Sequence, residues 1–280
     1  MLLTHEQLES YEKDGFVFLP DYFSREEVER MKAEVPAIFA EESPRRVVEK
    51  KNGIVRSVYG SHLTNEVFGR LSRHPRIIGP ARQVLGGEVY VYQFKINAKV
   101  AFDGDLWEWH QDYVFWCNED GMPAPRVISA AVYLDEITEY NGPMFMIPGS
   151  HREGVIEVAP HEIPAYAGVG SMPYQNSPKW ITNLTADLKY SLDRETVARL
   201  VSKYGITAPK GGAGSVLFFH GNTIHASPNN LSPFDRVVVI VTLNDVRNVP
   251  VSDKPPRPDF LNARNREPIV ALSDDALMKL

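Results

Sequence analysis

Cysteine is almost missing from this sequence: Cys117 is the one residue of its kind in 280. No disulfide can form within the chain, and a metal site built on several thiolates is excluded, so any transition metal has to be held by histidine and carboxylate. Long apolar runs are missing too. None reaches the roughly 18 residues that a membrane-spanning helix requires, and the start, Met1-Leu2-Leu3-Thr4-His5-Glu6-Gln7, meets acidic side chains without the apolar stretch of a signal peptide. A soluble, cytoplasmic protein with no membrane partner is the expectation. There is no cluster of lysine or arginine either. With 36 acidic residues against 30 basic ones the net charge is -6, which lacks the electrostatic footprint of a nucleic-acid binder. Internal repeats and low-complexity tracts are absent as well.

What is present is an ordinary globular balance, 43% hydrophobic and 24% charged, enough to bury a sizeable core. One domain spanning 1–280 is expected. Thr4 to Gln7 and Ser24 to Glu27 have the form of capping boxes, so two early helices follow them. Between them Gly15-Phe16-Val17-Phe18-Leu19-Pro20 reads as a short strand. A third helix is predicted from Pro75 to Leu85, with proline in its first turn and Gly86 just past its end, and a fourth from about Asp193 to Tyr204 before Gly205.

From Glu88 the period becomes two. Val89, Val91, Gln93, Lys95, Asn97 and Lys99 fall on one face and Tyr90, Tyr92, Phe94, Ile96 and Ala98 on the other. Further strands are predicted over Trp107 to Trp116, Val127 to Leu134, Met144 to Ile147, Ser215 to Phe219 and Val237 to Leu243, divided by turn signals such as Asn141-Gly142-Pro143. Helices first and strands after indicate an α+β protein with a β-sandwich or barrel core. The stretch from Val155 to Tyr190, broken by several prolines and glycines, reads as a lid-like insertion.

In Trp107-Glu108-Trp109-His110-Gln111-Asp112-Tyr113 a histidine and a carboxylate stand two apart, which on an extended strand puts both on one face. Such N and O donors suit non-haem Fe(II), whose triad of two histidines and one carboxylate leaves positions open for a 2-oxo acid and O2. The second histidine is sought in Phe218-Phe219-His220-Gly221-Asn222-Thr223-Ile224-His225-Ala226-Ser227. His225 is preferred to His220, because Ser227 follows on the same side and Arg236 opens the next apolar strand. A guanidinium at that strand mouth could grip a carboxylate with two parallel hydrogen bonds.

At these residues the chain resembles the phytanoyl-CoA dioxygenase family of Fe(II)/2-oxoglutarate oxygenases, over essentially its whole length. Within the family it is most similar to bacterial hydroxylases of free amino acids. The likeness runs through Val55-Arg56-Ser57-Val58-Tyr59-Gly60-Ser61-His62, Val91 to Lys99, Trp109 to Trp116, Glu119-Asp120-Gly121-Met122, Asn141-Gly142-Pro143, Pro148-Gly149-Ser150-His151 and Arg257-Pro258-Asp259-Phe260-Leu261. It implies a double-stranded β-helix, or jelly-roll, core with flanking N-terminal helices, His110, Asp112 and His225 as iron ligands, and Arg236 and Ser227 holding the distal carboxylate of 2-oxoglutarate. It also implies that Gln93, Lys95 and Asn97 help with co-substrate or substrate and that Tyr59, His62 and Trp116 line the substrate cavity. Asp112 stands where related halogenases carry a small residue, which implies hydroxylation. Free L-proline, hydroxylated at C4 in trans with Fe(II), 2-oxoglutarate and O2, is the leading expectation, because Thr185-Ala186-Asp187-Leu188-Lys189-Tyr190, leading into the post-lid helix, is more similar to the family's proline hydroxylases than to its leucine hydroxylase. L-leucine, L-pipecolate and ectoine are the alternatives, and a non-catalytic metal-binding module is the alternative of another class. Regiochemistry and the choice between monomer and homo-oligomer are left open by the sequence.

Overall fold

The computed structural model describes residues 1–49, 51–160, 184 and 187–279. Most of the predicted lid, 155–190, lies outside the described residues, with only its two ends inside them.

The capping boxes fold as read. Thr4 Oγ1 accepts from Gln7 N–H and Ser24 Oγ from Glu27 N–H, each answered by the side chain three residues on, and they open α1 (His5–Asp14) and α2 (Arg25–Ala40). Strand β1 (Phe16–Leu19) lies between them; β2 (Arg46–Val48), β3 (Val55–Tyr59), α3 (Glu66–Leu71) and α4 (Pro75–Leu85) follow. Then come β4 (Val89–Lys99), β5 (Trp107–His110), α5 (Asp112–Asp120), β6 (Val127–Tyr133), β7 (Phe145–Met146), α6 (Arg194–Tyr204), β8 (Val216–His220), β9 (His225–Ser227) and β10 (Arg236–Asp245). Among the described residues no helix is long and apolar enough to cross a membrane.

The strands make two antiparallel sheets, one of seven in the order β1-β8-β6-β10-β4-β3-β2 and one of three in the order β5-β9-β7. This is the α+β jelly-roll. Helices α1 to α4 cover the outer face of the large sheet, where Val28, Met31, Phe68, Ile77 and Ile78 pack on Phe94, Ile96, Val132, Phe218, Val239 and Val241. Each large apolar side chain so buried contributes about 1.5–3 kcal/mol. Alternate residues of the same strands, including Tyr133, Leu217, Phe219, Val238 and Ile240, point the other way. Strand β10 is buried along its whole length because it is central and covered on both faces.

Two predicted strands need correction. Strand β4 does not alternate without a break: Gln93 pairs with Thr242 and Val91 with Leu243, so Tyr92 is an extra residue in a bulge. Before the bulge Val89 and Val91 join Phe94, Ile96 and Ala98 on the helix side, while Tyr90 and Tyr92 turn to the side that Gln93, Lys95 and Asn97 occupy. The predicted strand from Trp107 to Trp116 ends at His110; helix α5 begins at Asp112 and stops at Gly121, whose φ of 72° is the left-handed helix cap that glycine adopts readily.

Candidate metal centre and active-site cavity

Strand β5 pairs with β9 so that His110 stands directly opposite His225, and their ring centroids are 4.2 Å apart. Asp112 reaches the same point from the first turn of α5 and not from the strand face, its Oδ1 3.6 Å from His110 Nε2. Ligand atoms of His110, Asp112 and His225 all lie within 4.8 Å of one another. Their support comes from the backbone. His110 Nδ1 bonds Glu108 O at 2.6 Å and His225 Nδ1 bonds Thr223 O at 2.9 Å. A carbonyl only accepts, so both Nδ1 atoms carry the proton and both Nε2 lone pairs are left free for a metal. Between the two ligands Gln111 is buried and ties three loops together, donating to Gly154 O and Asn222 O and accepting from Ile156 N–H.

This donor set fits a divalent metal. Nε2 of His110 and Oδ1 of Asp112 face each other as two acceptors, and Asp112 Oδ2 is buried with no hydrogen-bond partner, an arrangement that costs energy unless a cation sits among them. Burial alone would push the Asp112 carboxyl up; the Lys95 ammonium, 4.0 Å from Oδ1, is the first of the neighbouring influences that outweigh it and hold the group well below the usual carboxylate range. Burial lowers His225 to about 4, so the imidazole is neutral and able to ligate at neutral pH.

The triad forms one wall of a cavity that Tyr59, Gln93, Lys95, Asn97, Trp116, Ser227 and Arg236 also line. Most of the residues singled out in the sequence are thereby brought together. Arg236 is fully buried; its Nη2 donates to Gly142 O and, at 3.1 Å, to Ser227 Oγ, while Nε has no partner. Burial lowers it to about 10, and it forms no ion pair among the described residues. Gly142 has a φ of 77°, and a Cβ there would come within 2.5 Å of Lys99 Cδ and 2.8 Å of Pro228 O, so the carbonyl offered to Arg236 depends on glycine. Gln93 Nε2 donates to Leu261 O and Asn97 Oδ1 accepts from Ser57 Oγ.

His62 is not brought in. It lines a separate surface groove, its ring stacked on Phe94 at 5.0 Å. His220 is likewise apart: its Nδ1 accepts from Asn222 N–H at 3.0 Å and its ring lies 5.5 Å from His151.

Arg257 was not singled out from the sequence, although it stands in the quoted Arg257-Pro258-Asp259 segment. It is buried, lines the cavity, and grips Asp120 through Nε and Nη2, with Tyr92 Oη donating to the same carboxylate. Its Nη1 meets no acceptor among the described residues. Trp107, Phe115, Leu184 and Leu188 add apolar wall, and Arg56 lies 3.7 Å over the Trp107 ring while pairing with buried Glu49. The only signal for Arg257 was a charge in a proline-rich tail of no periodicity.

Comparison with known proteins gives a consistent picture. Residues 11–238 match the family model described as Phytanoyl-CoA dioxygenase (PhyH). An L-proline trans-4-hydroxylase of Streptomyces griseoviridis is 38% identical over 267 residues, covering 95% of each chain. An ectoine dioxygenase of Bordetella parapertussis is 37% identical over 275 residues, covering 94% of this chain and 83% of its own. Among solved structures, EctD from S. alaskensis with 2-oxoglutarate and 5-hydroxyectoine superposes with a TM-score of 0.80 at 30% identity, over 96% of this chain and 87% of that one.

Proposed function

The chain belongs to the phytanoyl-CoA dioxygenase family of Fe(II)- and 2-oxoglutarate-dependent oxygenases, and on that premise we propose that it hydroxylates a free amino acid, L-proline, to trans-4-hydroxy-L-proline. The observation that carries the amino-acid reading is the cavity's charge. Lys95, Arg236 and Arg257 line it, and Asp112 is the one carboxylate among the described lining residues. Although Asp120 answers Arg257 from behind and Asp112 stands beside Lys95, Arg236 has no carboxylate partner among the described residues and Arg257 keeps one edge free, so the site suits two anionic guests, the 2-oxoglutarate dianion and a substrate carboxylate. The identity to an L-proline trans-4-hydroxylase supports proline in particular.

In this reading His110, Asp112 and His225 hold the iron. Bound Fe(II) supplies the oxidative chemistry, coupling decarboxylation of 2-oxoglutarate by O2 to hydroxylation of a substrate C–H, with succinate and CO2 released. Arg236 and Ser227 receive the distal carboxylate of 2-oxoglutarate. Gln93, Lys95 and Asn97 line the inner sheet face between the co-substrate and the substrate. Arg257, held from behind by Asp120, presents its free edge to the carboxylate of the amino acid, while Tyr59, Trp107, Phe115 and Trp116 exclude water from the reacting carbon. Which carbon is hydroxylated follows from which C–H this grip holds nearest the metal.

Purified protein supplied with Fe(II), 2-oxoglutarate and, in turn, L-proline, L-leucine, L-pipecolate and ectoine tests the reading. Proline should raise succinate formation and yield trans-4-hydroxyproline in equal amount; succinate formation indifferent to proline overturns it. Ectoine is the second reading, supported by the 37% identity to an ectoine dioxygenase. The ligand assignment is tested by Asp112→Ala, which should abolish both stoichiometric Fe(II) retention and turnover; unchanged product formation overturns it.

A further inference from the structure

A short strap, Asp187 to Leu192, runs beside β5 and α5, and its fastenings all lead back to the metal centre. Leu188 N–H donates to Glu108 Oε2 at 3.0 Å and Leu192 N–H to Trp109 O at 2.8 Å. Lys189 Nζ and Tyr190 Oη converge on a single atom, Glu119 Oε1 of α5, at 2.5 and 2.6 Å. The Tyr190 ring stands edge-on to Phe115, 5.1 Å between centroids. Four anchors on so few residues fix the side chain between them: Leu188 is 3% exposed, packs in one apolar cluster with Phe115 and Trp116, and lines the cavity.

Glu108 has two duties at once. Its backbone carbonyl accepts from His110 Nδ1 and sets the orientation of that imidazole, while its carboxylate accepts from Leu188 N–H. The distance from the metal ligand to the Leu188 wall is therefore fixed through one residue. Glu119 fixes the other side, from the helix that begins with Asp112. Neither carboxylate lines the cavity.

We propose that Leu188 selects the carbon skeleton of the substrate, and that Glu108 and Glu119 are positioning residues that set where this wall stands relative to His110. The substrate class is a small amino acid whose side chain is saturated hydrocarbon. A polar side chain meeting Leu188 would lose its water without gaining a partner, whereas one methylene more or less is discriminated by available volume, a difference of roughly 10- to 200-fold in apolar pockets. The proposal rests on the amino-acid hydroxylase reading above.

The test uses the full chain loaded with Fe(II) and 2-oxoglutarate, and compares wild type, Leu188→Ala, Leu188→Val and Glu119→Gln. Proline and pipecolate, which differ by one ring methylene, are the probes. Leu188→Ala should raise the pipecolate-to-proline ratio of kcat/KM about 10-fold or more, with Leu188→Val moving it the same way by less. Glu119→Gln should raise KM for the amino acid while leaving KM for 2-oxoglutarate unchanged, and should increase the succinate formed per hydroxylated product, because a displaced wall lets co-substrate turn over without a well-held C–H. A merely structural role would shift KM for 2-oxoglutarate and overall stability together and leave that coupling ratio alone. Ratios unchanged in both Leu188 variants, with 2-oxoglutarate affinity preserved, overturn the proposal. If wild type turns over ectoine and not proline, the proline reading fails and so does the saturated-hydrocarbon substrate class, because the ectoine ring carries an amidine; whether Leu188 sets the available volume is then read separately, as ectoine against its one-methylene-larger homologue in the same variants.

Discussion

Arg236 and Arg257 are both buried guanidinium groups lining one cavity, yet their surroundings are opposite. Arg257 is answered by a carboxylate: Asp120 takes two of its N–H groups, and this pairing more than offsets the burial that would lower its affinity for a proton. Among the described residues Arg236 is answered only by neutral oxygens, Gly142 O and Ser227 Oγ, and burial lowers it to about 10. A buried cation with its counter-ion built in is part of the fold, and one without is completed by an anion from outside. The difference supports the roles proposed for the two ends of the cavity: a fixed anchor with one free edge near the apolar walls, and an open seat offered to the 2-oxoglutarate carboxylate.

The largest expected effect comes from breaking the built-in pair. Asp120→Ala strands Arg257 and leaves Tyr92 Oη without its acceptor, so unfolding in urea should show a loss of about 3–5 kcal/mol; a variant as stable as wild type would mean that Arg257 needs no fixed counter-ion. Next comes the open seat. Arg236→Leu should cost little stability, since no partner is left charged and unpaired, but should raise KM for 2-oxoglutarate by about 100-fold or more, the equivalent of about 3 kcal/mol for a charge-assisted bidentate contact. In wild type, 2-oxoglutarate at about 100 times its Kd should add about 2.7 kcal/mol to stability, and Arg236→Leu should lose that gain at the same concentration. Equal stabilisation of both proteins would place the carboxylate elsewhere.

The smallest effect concerns a residue in neither seat. Burial first, and then the nearby His151, lower His220 to about 4. Its unfolded value is near 6.5, so the unfolded chain takes up the proton first as pH falls. The neutral ring's contribution is fully present above about 6.5 and is lost progressively down to about 4. His220→Gln should flatten the stability profile in that window relative to wild type; parallel profiles would remove His220 from the titration.

Much of the scaffold was legible because its signals are local. The capping boxes at Thr4 and Ser24, and Pro75 with Gly86 around α4, involve groups a few residues apart, and each helix lies where its caps placed it. Helix α5 was misread as strand because Tyr113, Val114, Phe115 and Trp116 have strand-like side chains. All four are buried in one apolar cluster with Tyr90 and Tyr92, with Phe115 and Trp116 lining the cavity, and tertiary packing outweighed local preference. The acidic Asp112 at its start and Gly121 at its end were the overlooked signal. The bulge at Tyr92 had none, since it is defined by how β4 registers against β10, and it is what turns Tyr92 toward Asp120 and Trp116 and Tyr90 toward Asn244.

By itself the sequence pointed to the chemistry: one cysteine left histidine and carboxylate to hold a metal, His110, Asp112 and His225 supplied that set, and Arg236 with Ser227 gave the carboxylate seat proposed above. Tertiary structure alone decided how the parts meet. The β5–β9 register sets His110 against His225, a helix start delivers Asp112, and residues as distant as Asp120 and Arg257 or Glu119 and Tyr190 close the cavity from its sides. The physical reason is range. Capping, turn geometry and ligand type are fixed by neighbours along the chain, whereas strand register and buried ion pairs are fixed by residues that come together only when the core closes.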